Sequence, residues 1–184
     1  MSFWLNIILY QTTWLIAIVG AAHGLWWAGP AALVVFATWQ LSVSRQRRAD
    51  VVLLVSMAVI GFTVDSTLVR AGLLGYAAAE PSALFAPIWI VALWMSFALT
   101  LNHSLAYLQS HLPAASLLGG IGAPLAYWAA AHTWSAVIFL APTTVVITTL
   151  VIIWALLTPL LCRFAGVLSG GTQESLHVHG GISR

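Results

Sequence analysis

The sequence predicts an all-α integral membrane protein, a bundle of about six transmembrane helices, and three observations lead there. Hydrophobic residues make up 61% of the 184 and charged residues 5%, against roughly 25% charged in an ordinary soluble domain. The chain contains no lysine, and its six basic residues are arginines spread over positions 45, 47, 48, 70, 163 and 184. Finally, six apolar runs approach or exceed the about 20 residues that a helix needs to span a bilayer.

The first run, residues 3–22, has no basic segment before it, so it is expected to be a retained helix rather than a cleaved signal. Asn6, Tyr10, Thr13, Ala17 and Gly20 form a polar and small stripe along it, with Gln11 at the edge. The second run, 29–43, is short and ends at Trp39-Gln40. Arg45-Gln46-Arg47-Arg48 follows, the one dense positive cluster, and such short loops stay cytoplasmic. Both termini are therefore expected in the cytoplasm.

The third run, 51–76, carries Ala58, Gly61, Asp65 and Gly72 at helical spacings. Small residues let helices approach closely in lipid, so Asp65 is placed on a packing face. Arg70, about 140° further round the helix, is expected to snorkel outward. The fourth run, 84–108, ends with the densest polar cluster, Thr100-Leu101-Asn102-His103-Ser104, where helical spacing puts Ser96, Thr100 and His103 on one face. In the fifth, 114–131, Ser116, Gly119, Ala123 and Tyr127 form one stripe and Gly122, Ala126 and Ala130 another. The sixth, 134–162, contains Pro142 and Pro159, which are expected to bend or divide it.

Residues 1–166 thus form the expected six-helix transmembrane domain and 167–184 a flexible cytoplasmic tail. His177 and His179 in that tail supply only half of a tetrahedral zinc site, and no metal is expected. A lone cysteine, Cys162, excludes a disulfide within the chain, and a formal charge of +2 is too small and scattered for a nucleic-acid partner. Trp4, Trp26, Trp27, Trp89 and Trp134 fall near expected helix ends, where indole prefers the headgroup level. Trp14, Trp94, Trp128 and Trp154 are expected to pack between helices.

At about 1.5 Å rise per residue, Asn6, Gln40, Asn102 and His103 share a layer near the cytoplasmic boundary, while Asp65, Trp94 and Tyr127 lie roughly 20 Å in. Thr143 and Thr144 fall near the deeper level, and Asp65 is expected to be neutral or to sit in a hydrated cavity with hydroxyl donors such as Tyr127, Thr143 and Thr144. Asp65 and His103 are not expected to touch. Hydrogen bonding between helices explains such layers without any activity, but an acid at mid-membrane is an expensive form of glue.

Phe3-Trp4-Leu5-Asn6, Asp65-Ser66, Leu101-Asn102-His103-Ser104 and Gly122-Ala123-Pro124-Leu125-Ala126-Tyr127 resemble a family of uncharacterised bacterial inner-membrane proteins, domain of unknown function 2878. The likeness spans nearly all of the membrane part and excludes the tail. It implies a bacterial inner-membrane location and carries no chemistry with it.

The residues themselves suggest a polar pocket opening to the cytoplasm that binds or modifies a lipid-like apolar molecule. His103 is the acid or base candidate, oriented by Asn102 with Asp65 as a deeper partner, and Asn6, Gln11, Gln40, Trp94 and Tyr127 are the candidate substrate-binding residues. Two other classes compete: a small carrier or proton-coupled permease titrating Asp65, and a non-catalytic subunit of a membrane assembly. Membrane lipids, a second copy of the chain or another membrane subunit are the expected partners. No nucleotide loop, zinc-protease helix, Ser-His-Asp order or haem attachment motif occurs, so no cofactor is expected.

Overall fold

The computed structural model of the protein describes residues 2–180, with side chains described for residues 3–170. It is helical almost throughout, with helices α1 (Ser2–Ala22), α2 (Ala28–Val43), α3 (Arg47–Arg70), α4 (Ile88–Leu101), α5 (Leu112–His132) and α6 (Thr143–Gly180). Four of them, α1, α3, α5 and α6, are long and apolar enough to cross a membrane, while α2 and α4 are apolar but shorter. His177 and His179 lie outside the residues whose side chains are described.

Three of the expected runs end differently from their hydropathy. The helix of the third run stops at Arg70 instead of Tyr76, because Gly72 takes φ +70°. Its N–H bonds Val69 O and the Leu73 N–H bonds Leu68 O, the paired bonds of a Schellman stop. Gly24, φ +78°, ends α1 with the same pair of bonds, from Gly24 to Ala21 and from Leu25 to Gly20.

Beyond Gly72 the chain forms strand β1 (Leu74–Tyr76), which pairs antiparallel with β2 (Val137–Phe139) in the register Leu74 to Phe139, Gly75 to Ile138 and Tyr76 to Val137. The front of the sixth run is therefore a strand, and α6 begins only after Pro142. Pro159 lies inside α6, and Pro124 inside α5. The fourth run yields a helix of 14 residues ending at Leu101, followed by turns and a 3-10 segment, Ala106–Gln109.

Helix α4 is the centre of the molecule: Trp89, Ile90, Ala92, Trp94, Ser96, Ala98, Leu99, Thr100 and Leu101 are all buried along it. It packs on α1, α2, α3 and α6, whereas α5 packs on α6. Gly61 on α3 lets the Trp94 ring of α4 settle against backbone, since a Cβ there would stand 2.1 Å from the Trp94 Cγ. Facing outward are large apolar side chains, among them Val34, Val35, Val55, Val59, Leu117, Ile121, Leu156 and Leu160. Two tryptophans depart from expectation: Trp89 is fully buried and donates from Nε1 to Ala77 O at 3.0 Å, while Trp128 is half exposed and stacks on His132.

Candidate functional site

The polar residues gather in two layers, one beside the strand pair and one at the arginine-bearing end. Beside the strands, α3 carries Asp65 with no solvent exposure. Tyr76 from β1 and Tyr127 from α5 donate to Asp65 Oδ1, the latter at 2.7 Å, and Trp94 Nε1 from α4 donates to Oδ2 at 2.6 Å. One carboxylate thereby ties four elements together. Tyr76 reaches it because Leu74 and Tyr76, two residues apart on a strand, point the same way and are both buried. Thr143 and Thr144, expected near Asp65, are exposed at the start of α6 instead. The reason is the displaced helix start: 137–139 is strand, so the threonines stand at a helix end.

At the other end, Asp50 in the first turn of α3 is fully buried. Ser44 Oγ donates to its Oδ2 at 2.5 Å, Asn102 Nδ2 to its Oδ1 at 3.0 Å, and His103 Nε2 stands 3.0 Å from Oδ2. Gln109 Nε2 in turn donates to Asn102 Oδ1 and Leu101 O. His103 therefore has Asp50 as its charged neighbour, and Asn102 orients that carboxylate rather than the imidazole. Because α4 stops at Leu101, the expected common face of Ser96, Thr100 and His103 does not form. The two hydroxyls bond their own helix, at Ala92 O and Phe97 O.

Asn6 and Gln40, both buried, belong to a third knot. Asn6 Nδ2 donates to Gln40 Oε1 at 2.6 Å and to Leu99 O at 2.9 Å, and Ser104 Oγ donates to Asn6 Oδ1. This set joins α1, α2 and α4 and uses both amide hydrogens of Asn6 within the fold. As expected, Asp65 and His103 share no contact. Arg70 is exposed and lies over the Phe85 ring at 5.8 Å.

Between the two layers runs a crevice of about 590 Å³, inside the roughly 300–1,000 Å³ range of ligand pockets. Its walls come from α1, α4, α5 and α6, and it is apolar over most of its length. α1 and α5 both border it without forming one of the closely packed helix pairs. Of the sequence-predicted residues, Gln11, Trp94 and Tyr127 line it; Asn6, Gln40, Asp65, Asn102 and His103 do not. Tyr10 and Trp154 also line it, and Gly122 faces open space there, a Cβ meeting nothing within 4 Å. Among the described residues, no three of His, Cys, Asp or Glu gather as a metal site would require.

The family described as Protein of unknown function (DUF2878) matches residues 3–160, a stretch that contains both polar layers and every residue of the crevice. No curated protein and no solved structure matches the chain.

Proposed function

We propose that this chain, which belongs to the family Protein of unknown function (DUF2878), is a six-span bacterial inner-membrane protein that takes an apolar, lipid-like molecule into the crevice between α1 and α5. The observation that carries this reading is the crevice itself: a mostly apolar space of about 590 Å³ bordered by α1 and α5, two helices that do not pack closely on each other. A molecule dissolved in the bilayer would enter without crossing water. The outward band of Val, Leu and Ile supports the membrane setting, and the Arg45, Arg47 and Arg48 loop supports termini on the cytoplasmic side. The carrier reading draws less support, because Asp65 does not line the crevice and already accepts three hydrogen bonds.

Protein purified in a mild detergent is expected to retain a molecule enriched over bulk membrane lipid, found by mass spectrometry of its organic extract. Gly122→Phe projects a ring into the crevice from a position with free space, and it should lose that molecule while melting near the wild-type temperature. An extract that mirrors bulk lipid and does not change in Gly122→Phe overturns the proposal.

A further inference from the structure

Helix α1 presents one stripe to the crevice, Ile7, Tyr10, Gln11, Trp14 and Ile18, at the spacings of a single helical face. Three of these carry hydrogen-bonding groups: the Tyr10 hydroxyl, the Gln11 amide and the Trp14 indole N–H. None of the three has a hydrogen-bond partner among the described residues, and none is sealed off as Gln46 Oε1, Trp154 Nε1 and Thr158 Oγ1 are. Tyr10 and Trp14 are half-buried and Gln11 is exposed, so the phenol and indole tips keep accessible surface where they line the space.

The other walls offer no such groups. On α4 and α5, Trp94 and Tyr127 bond Asp65, Thr100 bonds Phe97 O, Ser104 bonds Asn6 and Trp89 bonds Ala77 O, while the polar atoms of Trp154 and Thr158 on α6 are enclosed. Depth sharpens the contrast. Phenol and indole favour the headgroup level, yet at about 1.5 Å per residue Tyr10 and Trp14 each stand about 12 Å from the nearer end of α1. With α1 across the bilayer as proposed, the hydrocarbon there supplies no hydrogen-bond acceptor. Ring contacts hold both side chains in place, Tyr10 on Phe97 with centroids 6.3 Å apart and Trp14 on Trp134 at 5.8 Å. Finally, no Asp, Glu, Lys, Arg or His is among the described residues lining the crevice, so an ionised group held there would be unpaired in a medium of low dielectric.

We propose that Tyr10, Gln11 and Trp14 form a hydrogen-bonding subsite for an uncharged, planar, carbonyl-bearing ring on an apolar tail, the chemistry of a membrane quinone. This rests on the reading of the crevice as a lipid-binding space and names the class of molecule that fills it. The indole N–H only donates, and phenol and amide can both donate, so a ligand with carbonyl acceptors and no hydroxyl satisfies all three. The aromatic side chains of Tyr10, Trp14, Trp94 and Phe97 give a flat ring faces and edges to pack on. Mid-bilayer depth suits a head that dissolves in hydrocarbon and excludes one anchored among the phosphates.

Binding of tritiated decylubiquinone to the full-length protein in nanodiscs tests this, with empty nanodiscs and Gly122→Phe as blanks and with decylbenzene, palmitate and monoolein as competitors. Decylubiquinone should compete about tenfold better than decylbenzene, which keeps ring and tail but lacks oxygen, a ratio equal to roughly 1.4 kcal/mol. Tyr10→Phe, Gln11→Leu and Trp14→Phe should each remove much of that advantage and leave decylbenzene unchanged. In the wild type the infrared carbonyl stretch of the bound, isotope-labelled quinone should fall below that of the quinone in empty nanodiscs. An unshifted carbonyl band overturns the subsite by itself, whatever the variants do. Equal binding of quinone and decylbenzene, both lost in Gly122→Phe, also overturns it and leaves the crevice standing. Tighter binding of monoolein or palmitate overturns the quinone assignment. If no competitor or quinone binds beyond the blanks, the crevice reading falls and the subsite with it.

Discussion

Asp65 accepts from two tyrosines and a tryptophan that come from β1, α5 and α4. Replacing it with leucine leaves two buried donors and the part-buried Tyr127 hydroxyl facing an apolar side chain, at about 1–3 kcal/mol for each buried one that finds no other acceptor. Asparagine keeps one acceptor oxygen and presents its NH2 to hydroxyls that can rotate to receive it. Thermal melting in detergent should therefore rank wild type above Asp65→Asn and Asp65→Leu lowest by a wide margin; equal melting of the two variants would show that the donors do not depend on the carboxylate. Asp65 was legible in the sequence because an acid amid apolar residues is expensive, and Tyr127 because it continued a stripe of small residues. Asp50 was not. It stands two residues after Arg48, and an acid next to a topology-setting arginine cluster reads as part of a solvated loop. Only the fold shows it buried under Asn102 and His103. Tyr76 was hidden for a different reason: a residue counted into a helix cannot be seen to point back at that helix from a strand.

At the scale of elements, the six apolar runs became six helices, and what the hydropathy missed was where they stop. Residues 74–76 and 137–139 are apolar enough to extend two helices, and their pairing depends on each other across the chain, a long-range fact with no local signature. The stop at Gly72 has one, a glycine with polar-poor neighbours, but the same residue also fits a packing stripe. The contact between α5 and α6 shows how closely sequence and packing are linked. Gly119 faces Trp154 O and Thr158 Oγ1, which a Cβ would approach to 2.4 and 2.0 Å, whereas Gly122 faces open space. Gly119→Ala should push the two helices apart and destabilise by about 1–3 kcal/mol. Gly122→Ala should be neutral or slightly stabilising, since alanine is the better helix former by about 1 kcal/mol. Equal unfolding midpoints for the two variants in a denaturing detergent titration would contradict this account of the contact.

For the whole molecule, the arginine-bearing end and the strand end must face opposite sides of the membrane if the bundle lies across it as proposed. In a Cys162→Ala background, cysteines at Arg47 and at Ala83, both exposed, should be labelled by an impermeant reagent from opposite sides of sealed vesicles, Ala83 from outside. Labelling of both from one side would remove the six-span arrangement. The shortness of α2 has a mechanical consequence for the host membrane. If α2 crosses the bilayer as proposed, its 16 residues reach about 24 Å, several ångströms less than a hydrocarbon layer of about 30 Å, and local thinning of the bilayer would meet the difference at fractions of a kcal/mol per ångström. Because α2 packs on α1, which borders the crevice, the dimple would form beside that entrance. The elastic strain grows with the acyl-chain length of the surrounding lipids, so the protein should partition into the thinner regions of a mixed membrane and carry its entrance with it.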